Sequence, residues 1–284
     1  MIEIKHRETG EVMETLESNT LVGADLRDMC LDGADFRGAD LSEANLESSD
    51  LNRADFSGAT MHNTCLFHAA MNDADLSTAD LTGAHLGSEH PSRAANLRGA
   101  NLTKAKLCGA DLRNAAVRHA NLQGVDMNGA DLRGTDFSGS NLCHAVARKA
   151  LFIGANLRDA NLCGADLRDC HLNDANLVNA SLHDADLSSV SPDGFTVIKL
   201  ANLEGADLSR ANLRNCAAQG TNLRNANLTD VDLTDAVLGG AILRRADVTN
   251  ANFQGVELAS VTMEFANFSK ARNAVIPKYK KNLR

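Results

Sequence analysis

The 284-residue chain has no Trp, one Tyr and three Pro, and aromatic residues make up only 4% of it. A globular core of that size is normally built around rings, so an ordinary globular domain is excluded. No apolar run approaches the roughly 18 residues of a membrane helix, and no membrane span is expected. The basic-then-apolar order of a secretory leader is missing too, because Met1 to Leu16 carries Glu3, Glu8, Glu11 and Glu14. The seven Cys include no C-x-x-C pair, which fits reduced thiols and a cytoplasmic location better than a disulfide framework. A basic excess is also lacking. The net charge is −9, so no direct nucleic-acid binding is expected.

What is abundant is Ala and Leu, and they repeat. From Asn19 to about Lys270 the chain reads A-(D/N)-L-x-x, and its large apolar centres recur every five residues. They run from Leu21 to Leu86, from Leu97 to Leu187 and from Leu203 to Phe268. These are 47 pentads, with Leu at 33 centres and Ala two residues before the centre in 34. On an α-helix a step of five turns about 140°, which would spread the Leu residues over all sides. On a flat strand successive centres would alternate between faces. A chain that turns a corner every five residues satisfies the pattern, with Leu and Ala inward. Four pentads then close a square coil of 20 residues, and coils stack about 4.8 Å apart through backbone hydrogen bonds.

Runs such as Gly33-Ala-Asp-Phe-Arg-Gly-Ala-Asp-Leu41 and Gly154-Ala-Asn-Leu-Arg-Asp-Ala-Asn-Leu162 resemble the pentapeptide-repeat family. The resemblance implies an all-β, right-handed quadrilateral β-helix, here of about 12 coils. The expected organisation is a hairpin cap at 1–18, the β-helix at 19–270 and a C-terminal cap or tail at 271–284. The hairpin turns at Thr9-Gly10 and is expected to lay Ile2, Ile4, Val12 and Leu16 on the first coil.

Two breaks interrupt the register, near 87–96 and 188–199. Leu86 to Leu97 spans 11 residues and Leu187 to Leu203 spans 16, two and three pentads with one residue extra. The breaks carry turn chemistry at Glu89-His90-Pro91-Ser92 and Ser191-Pro192-Asp193-Gly194-Phe195. Counting pentads modulo four starts both on the third side. The same count places Leu151 and Ile153, which flank the inward Phe152, on that side as an outward apolar spot.

Residues 20 apart should stack. Asn101, Asn121, Asn141 and Asn161 are expected to form an amide ladder. Asp35, Asp55 and Asp75 form one carboxylate ladder, and Asp166, Asp186 and Asp207 another, each costly unless Arg, cations or solvent relieve it. Up to residue 90 there are 18 acidic and 5 basic residues, and from 91 onward 19 acidic and 23 basic. The N-terminal third is strongly acidic.

Catalysis is not expected, because a core filled by Leu and Phe leaves no substrate pocket. No cofactor or metal is expected either. Cys143, Cys163 and His183 stack, with His144 beside them, but a straight ladder cannot converge on a tetrahedral ion. The reading for that column is stacked thiols, at most an oxidation-sensitive pair.

A rod with stacked negative charge is a substitute for duplex DNA at a basic protein groove. In this respect the chain resembles the quinolone-resistance and mycobacterial fluoroquinolone-resistance branches of the family. That resemblance implies binding to DNA gyrase or topoisomerase IV, protection from topoisomerase poisons, and a homodimer through the C-terminal end. The candidate partner-binding residues are Asp35, Asp55, Asp75, Asp166, Asp186, Asp207, Glu89, His90, Leu151, Ile153, Asp193 and Phe195. The alternative is a structural adaptor that meets another protein through Leu151 and Ile153, with no topoisomerase role.

Overall fold

Each pentad is one tight turn. The amide of Ala24 donates to the carbonyl of Leu21 at 3.0 Å, and the residue between them on the far side of the turn, Gly23, has φ +66°. Positive φ two residues after the centre recurs at Asp28, Gly33, Gly38, Glu43 and Ser48. A type II turn demands this, and it explains the Gly, Asn and Asp found there. The Asp or Asn before the centre has its own task. Its Oδ1 accepts the amide two residues on, as from Ser42 to Asp40 (3.0 Å) and from Ser57 to Asp55 (2.9 Å). That amide faces outward, and the short side chain satisfies it.

In the computed structural model, which describes residues 1–189 and 196–280, these turns stack as four-sided coils. Leu26 N donates to Asn45 O and Asn45 N to Ala24 O, both at 2.8 Å, and single parallel bridges link residues 20 apart. Regular strand is therefore nearly absent. Among the described residues it is confined to an antiparallel hairpin, β1 (Ile2–Lys5) and β2 (Val12–Leu16). Short 3-10 turns lie at Pro91–Arg93 and Lys278–Lys280.

The chain forms two compact units, Met1–Leu142 and Cys143–Arg284. Every centre from Leu21 to Met263 is buried, and Phe268 is half-buried. Where the small position carries a hydroxyl, that group bonds the carbonyl of the centre one coil before. Ser49 Oγ reaches Leu26 O (2.6 Å), Thr64 Oγ1 reaches Leu41 O (2.9 Å) and Thr135 Oγ1 reaches Leu112 O (2.7 Å). The inward surface is thus closed and free of stranded polar groups at these positions.

In the first unit the hairpin joins the coils through Lys5 O, which accepts from Asp35 N at 2.8 Å, and Ile4 is buried. Val12 does not pack inward as expected and is 48% exposed. A register shift between Ile4 and Lys5 pairs Lys5 with Val12 and turns that side chain out.

Both breaks differ from the sequence count. In the first unit, bridges step by 26 instead of 20, from Ala70 to Asn96 and from His85 to Asp111. Leu97 therefore stacks on the side of Met71, and the insertion adds six residues between two sides without forming one. In the second unit His171 pairs with Val197 and Ser181 with Asp207, again 26 apart. Ile198, fully buried, is a centre. The second break is therefore Leu187 to Ile198, the same length as the first. The modulo-four count that set both insertions on one side assumed that the extra pentads take up sides. They do not, and the count does not carry across either break.

Candidate partner-binding surface

With the core closed, the chemistry lies outside. The first unit has 22 acidic and 12 basic residues, net −10, while the second has 15 and 16, net +1.

In the first unit Asp35, Asp55 and Asp75 stack as expected. They are not equivalent. Arg37 clasps Asp35 at 2.6 Å and lies 3.9 Å from Asp55, while Asp75 accepts Ser77 N (2.9 Å) and Asn101 Nδ2 (3.1 Å). The hydrogen bond from Arg37 holds the Asp35 carboxyl below the usual range. Neighbouring columns show the same device, an Arg two residues after an Asp, at Arg27, Arg113 and Arg133. Asp40, Asp50 and Asp75 have no ion-pair partner among the described residues. Part of the charge is locally neutralised by Arg, and part is not. Asn101, Asn121 and Asn141 stack, but among these three the amide ladder is made only between Asn141 Nδ2 and Asn121 Oδ1 at 3.2 Å. Asn121 Nδ2 donates instead to Thr103 Oγ1 (2.9 Å), and Asn101 Nδ2 to Asp75.

The first insertion lies against this acidic surface. Glu89 is bonded to Arg113, which also clasps Asp111 at 2.8 Å and approaches Asp131 at 3.7 Å. Burial alone would raise the Asp111 pKa, but the hydrogen bonds of Arg113 outweigh it and hold it below the usual range. His90 N donates to Ser88 Oγ at 3.2 Å, and His90 O accepts from Arg93 N. Between the insertion and the coil lies an open groove of about 740 Å³, walled by Phe67, His68, Ser92, Arg93 and Arg113.

In the second unit Asp166 and Asp186 stack, but Asp207 does not join them. It pairs with Ser181, and the next rung after Asp186 is Asn212. The six-residue insertion between them moves the register. Asp166 is clasped by both Arg148 and Arg168 at 2.6 Å. Burial alone would raise its pKa, and these bonds hold it at about 2. Asp186 accepts Ser188 N at 2.9 Å with Arg168 at 3.8 Å, and Asp207 accepts Ser209 N at 3.0 Å. Among the described residues no group of three or more His, Cys, Asp and Glu is placed to hold a metal ion.

Leu151 and Ile153 flank buried Phe152 and are half-buried. Leu151 belongs to the ladder Leu151, His171, Val197, Ala217, Val237, into which the second insertion leads. Asp193 and Phe195 lie outside the described residues. Sequence reasoning missed two members of this side, Leu200 and Val237, which are 65% and 49% exposed. The signal was present, because stepping back five from Leu203 gives Ile198 as a centre and sets Leu200 at the corner. Leu200 and Phe265 are the two bulky apolar residues with positive φ among the described ones, both near +60° and both exposed. A bulky side chain there is strained.

At the C-terminal end Lys280 Nζ donates to Val261 O (2.6 Å) and Leu258 O (3.3 Å), and Tyr279 OH to Ala259 O (2.9 Å). The tail thereby satisfies carbonyls that no further coil meets.

Eight copies of the family described as pentapeptide repeats match residues 20–58, 34–73, 93–129, 111–146, 130–169, 155–191, 206–245 and 236–272. The chain belongs to the pentapeptide-repeat family. Its fold is the all-β quadrilateral β-helix of that family. Among solved pentapeptide-repeat structures it is similar to HetL, a protein involved in heterocyst differentiation regulation from the cyanobacterium Nostoc sp. strain PCC 7120. Identity is 32% over 74% of this chain and 90% of that one, with a TM-score of 0.52. It is also similar to a trypsin-treated form of QnrB1, a plasmid-mediated fluoroquinolone resistance protein, at 17% identity over 83% and 90% of the two chains with a TM-score of 0.30. A pentapeptide-repeat protein of the Arabidopsis thaliana thylakoid lumen matches at 31% identity over 42% and 66%, with a TM-score of 0.28. No curated protein matches the chain. Among the described residues no helix is long and apolar enough to cross a membrane.

Proposed function

We propose that this pentapeptide-repeat protein is a non-enzymatic, protein-binding scaffold of the cytoplasm. Its acidic first unit takes the place of DNA phosphates at the basic groove of a topoisomerase, DNA gyrase or topoisomerase IV, and shields that enzyme from poisons. The observation that carries the reading is the charge division, net −10 on one unit against +1 on the other, with Asp40, Asp50 and Asp75 left without cationic partners among the described residues. Ordered carboxylates facing solvent steer a basic partner and set the salt dependence of its approach. The closed Leu core supports the absence of catalysis. A homodimer through the C-terminal end, where Phe265 and Val275 are exposed, belongs to the same reading.

Supercoiling by gyrase, with and without a fluoroquinolone, tests it. Purified protein is expected to relieve the drug's inhibition, and the triple variant Asp40→Asn, Asp50→Asn, Asp75→Asn to lose that effect while keeping its circular dichroism. No rescue, no inhibition and no co-purification with gyrase would end the topoisomerase reading.

A second reading, an adaptor without a topoisomerase role, is favoured by one observation. Leu200 and Val237 are exposed on the side shared with Leu151, and Leu200 keeps a strained backbone. Replacing Leu200 and Val237 by Ser is expected to abolish partner binding on that side and leave gyrase assays unchanged. Partner binding that survives both changes counts against the adaptor.

A further inference from the structure

Of the seven cysteines, Cys143 and Cys163 alone stack on each other. His144 N donates to Cys163 O and Gly164 N to His183 O, both at 2.8 Å, which sets residues 143, 163 and 183 one above another in successive coils of the second unit. Both thiols are half-exposed and neither is in a disulfide. The rung spacing of about 4.8 Å falls within the Cα separation a disulfide accepts, about 4.4 to 6.8 Å. The two side chains leave the same position of equivalent turns, so their Cβ vectors are parallel, and the thiols interact.

The column continues with a cationic group. Arg210 Nη2 donates to His183 Nε2 at 2.6 Å, and His183 Nδ1 meets Ser209 Oγ at 2.8 Å. Arg210 is also anchored on Asp184 at 2.7 Å. Cys163, one rung from His183, is thus the thiol nearer that cationic group. Cys143 stands further from it, and burial, then the neighbouring Cys163, push its pKa up. By contrast, burial pushes the Cys170 and Cys216 thiols to about 12, which leaves them inert.

We propose that Cys143 and Cys163 form a redox-modification site, oxidised by a hydroperoxide to a disulfide that staples two successive coils. The Cys163 thiolate attacks one oxygen of hydrogen peroxide. The O–O bond breaks, hydroxide leaves, and Cys163 becomes a sulfenic acid. The Cys143 thiolate then attacks that sulfur, the S–O bond breaks, and a second hydroxide leaves. Protons released by the two thiols turn both hydroxides into water. Two thiols and one peroxide therefore give one disulfide and two waters. A dithiol reductant reverses the step by exchange. Because the oxidised sulfur and its partner already stand in adjacent rungs, no coil has to open.

The test is made on the folded full chain with hydrogen peroxide, followed by alkylation and digestion with trypsin. The expected product joins the peptides 134–148 and 159–168, two hydrogens lighter than their sum, and disappears after dithiothreitol. In Cys143→Ser, Cys163 is expected to stop at a sulfenic acid that dimedone traps. In Cys163→Ser, oxidation at Cys143 should slow by about tenfold. The proposal is overturned if both thiols remain alkylatable at a peroxide dose that already oxidises the exposed Cys30. It is also overturned if Cys163→Ser leaves the rate at Cys143 unchanged.

Discussion

The sharpest test of the architecture is Leu122→Ala in the first unit. Leu102 N donates to Asn121 O and Leu122 N to Asn141 O, both at 2.7 Å, which sets Leu122 between Leu102 and Leu142 in consecutive coils. All three side chains are fully buried. The substitution removes three carbons, about 2.4 kcal/mol of transfer free energy at roughly 0.8 kcal/mol each. A cavity term follows, about 24 cal/mol for each Å³ that does not collapse. Collapse is poor here, because the backbone above and below is held by ladder hydrogen bonds. The total is about 3 to 4 kcal/mol. Urea unfolding followed by circular dichroism measures it, and the loss should localise to neighbouring coils since each contacts only its neighbours. Leu122→Met, which keeps volume, should cost less than about 1.5 kcal/mol. Gln123→Ala, one residue on and exposed, should stay within about 0.5 kcal/mol of wild type. If Leu122→Ala proved as mild as Gln123→Ala, the inward placement of the centres would be refuted.

Other outcomes follow from named contacts. Thr64→Val should lose about 1 kcal/mol in the same assay, because the hydroxyl bond to Leu41 O goes while the carbonyl keeps its turn bond from Ala44 N. Gly139→Ala should cost about 1 to 2 kcal/mol. Its φ is +66°, and a Cβ there would come within 2.5 Å of His119 Nδ1. The Asp166 carboxyl titrates at about 2 in the folded chain against 3.8 ordinarily, so its stabilisation is complete above roughly pH 5 and lost as pH falls toward 2. Arg148→Ala with Arg168→Ala should flatten that part of the stability-pH profile, and an unchanged profile would remove these pairs from the account.

The repeat declares itself in the sequence because each position of the pentad has a local task. The centre fills the interior and the small residue before it fits the corner. The Asp or Asn caps an outward amide, and the Gly, Asn or Asp accepts positive φ. Such tasks need no knowledge of distant residues, so period five alone led to the four-sided coil. The neutralisation of the carboxylate ladders was legible in principle, since Asp25-Leu26-Arg27 and Asp131-Leu132-Arg133 place Arg two residues after Asp. That signal went unused.

Register across the breaks was a different matter. Eleven residues between Leu86 and Leu97 read equally as two sides with a bulge or as one side with six residues projecting. The choice is made by which residues hydrogen-bond in the coil below, a contact between positions 26 apart. Stacking therefore decided that Asp207 leaves the ladder of Asp186 and that Val237 shares a side with Leu151. The sequence by itself determined how each side is built; only the tertiary structure determined which sides meet, because coil closure is a long-range hydrogen-bonding condition that no single pentad contains.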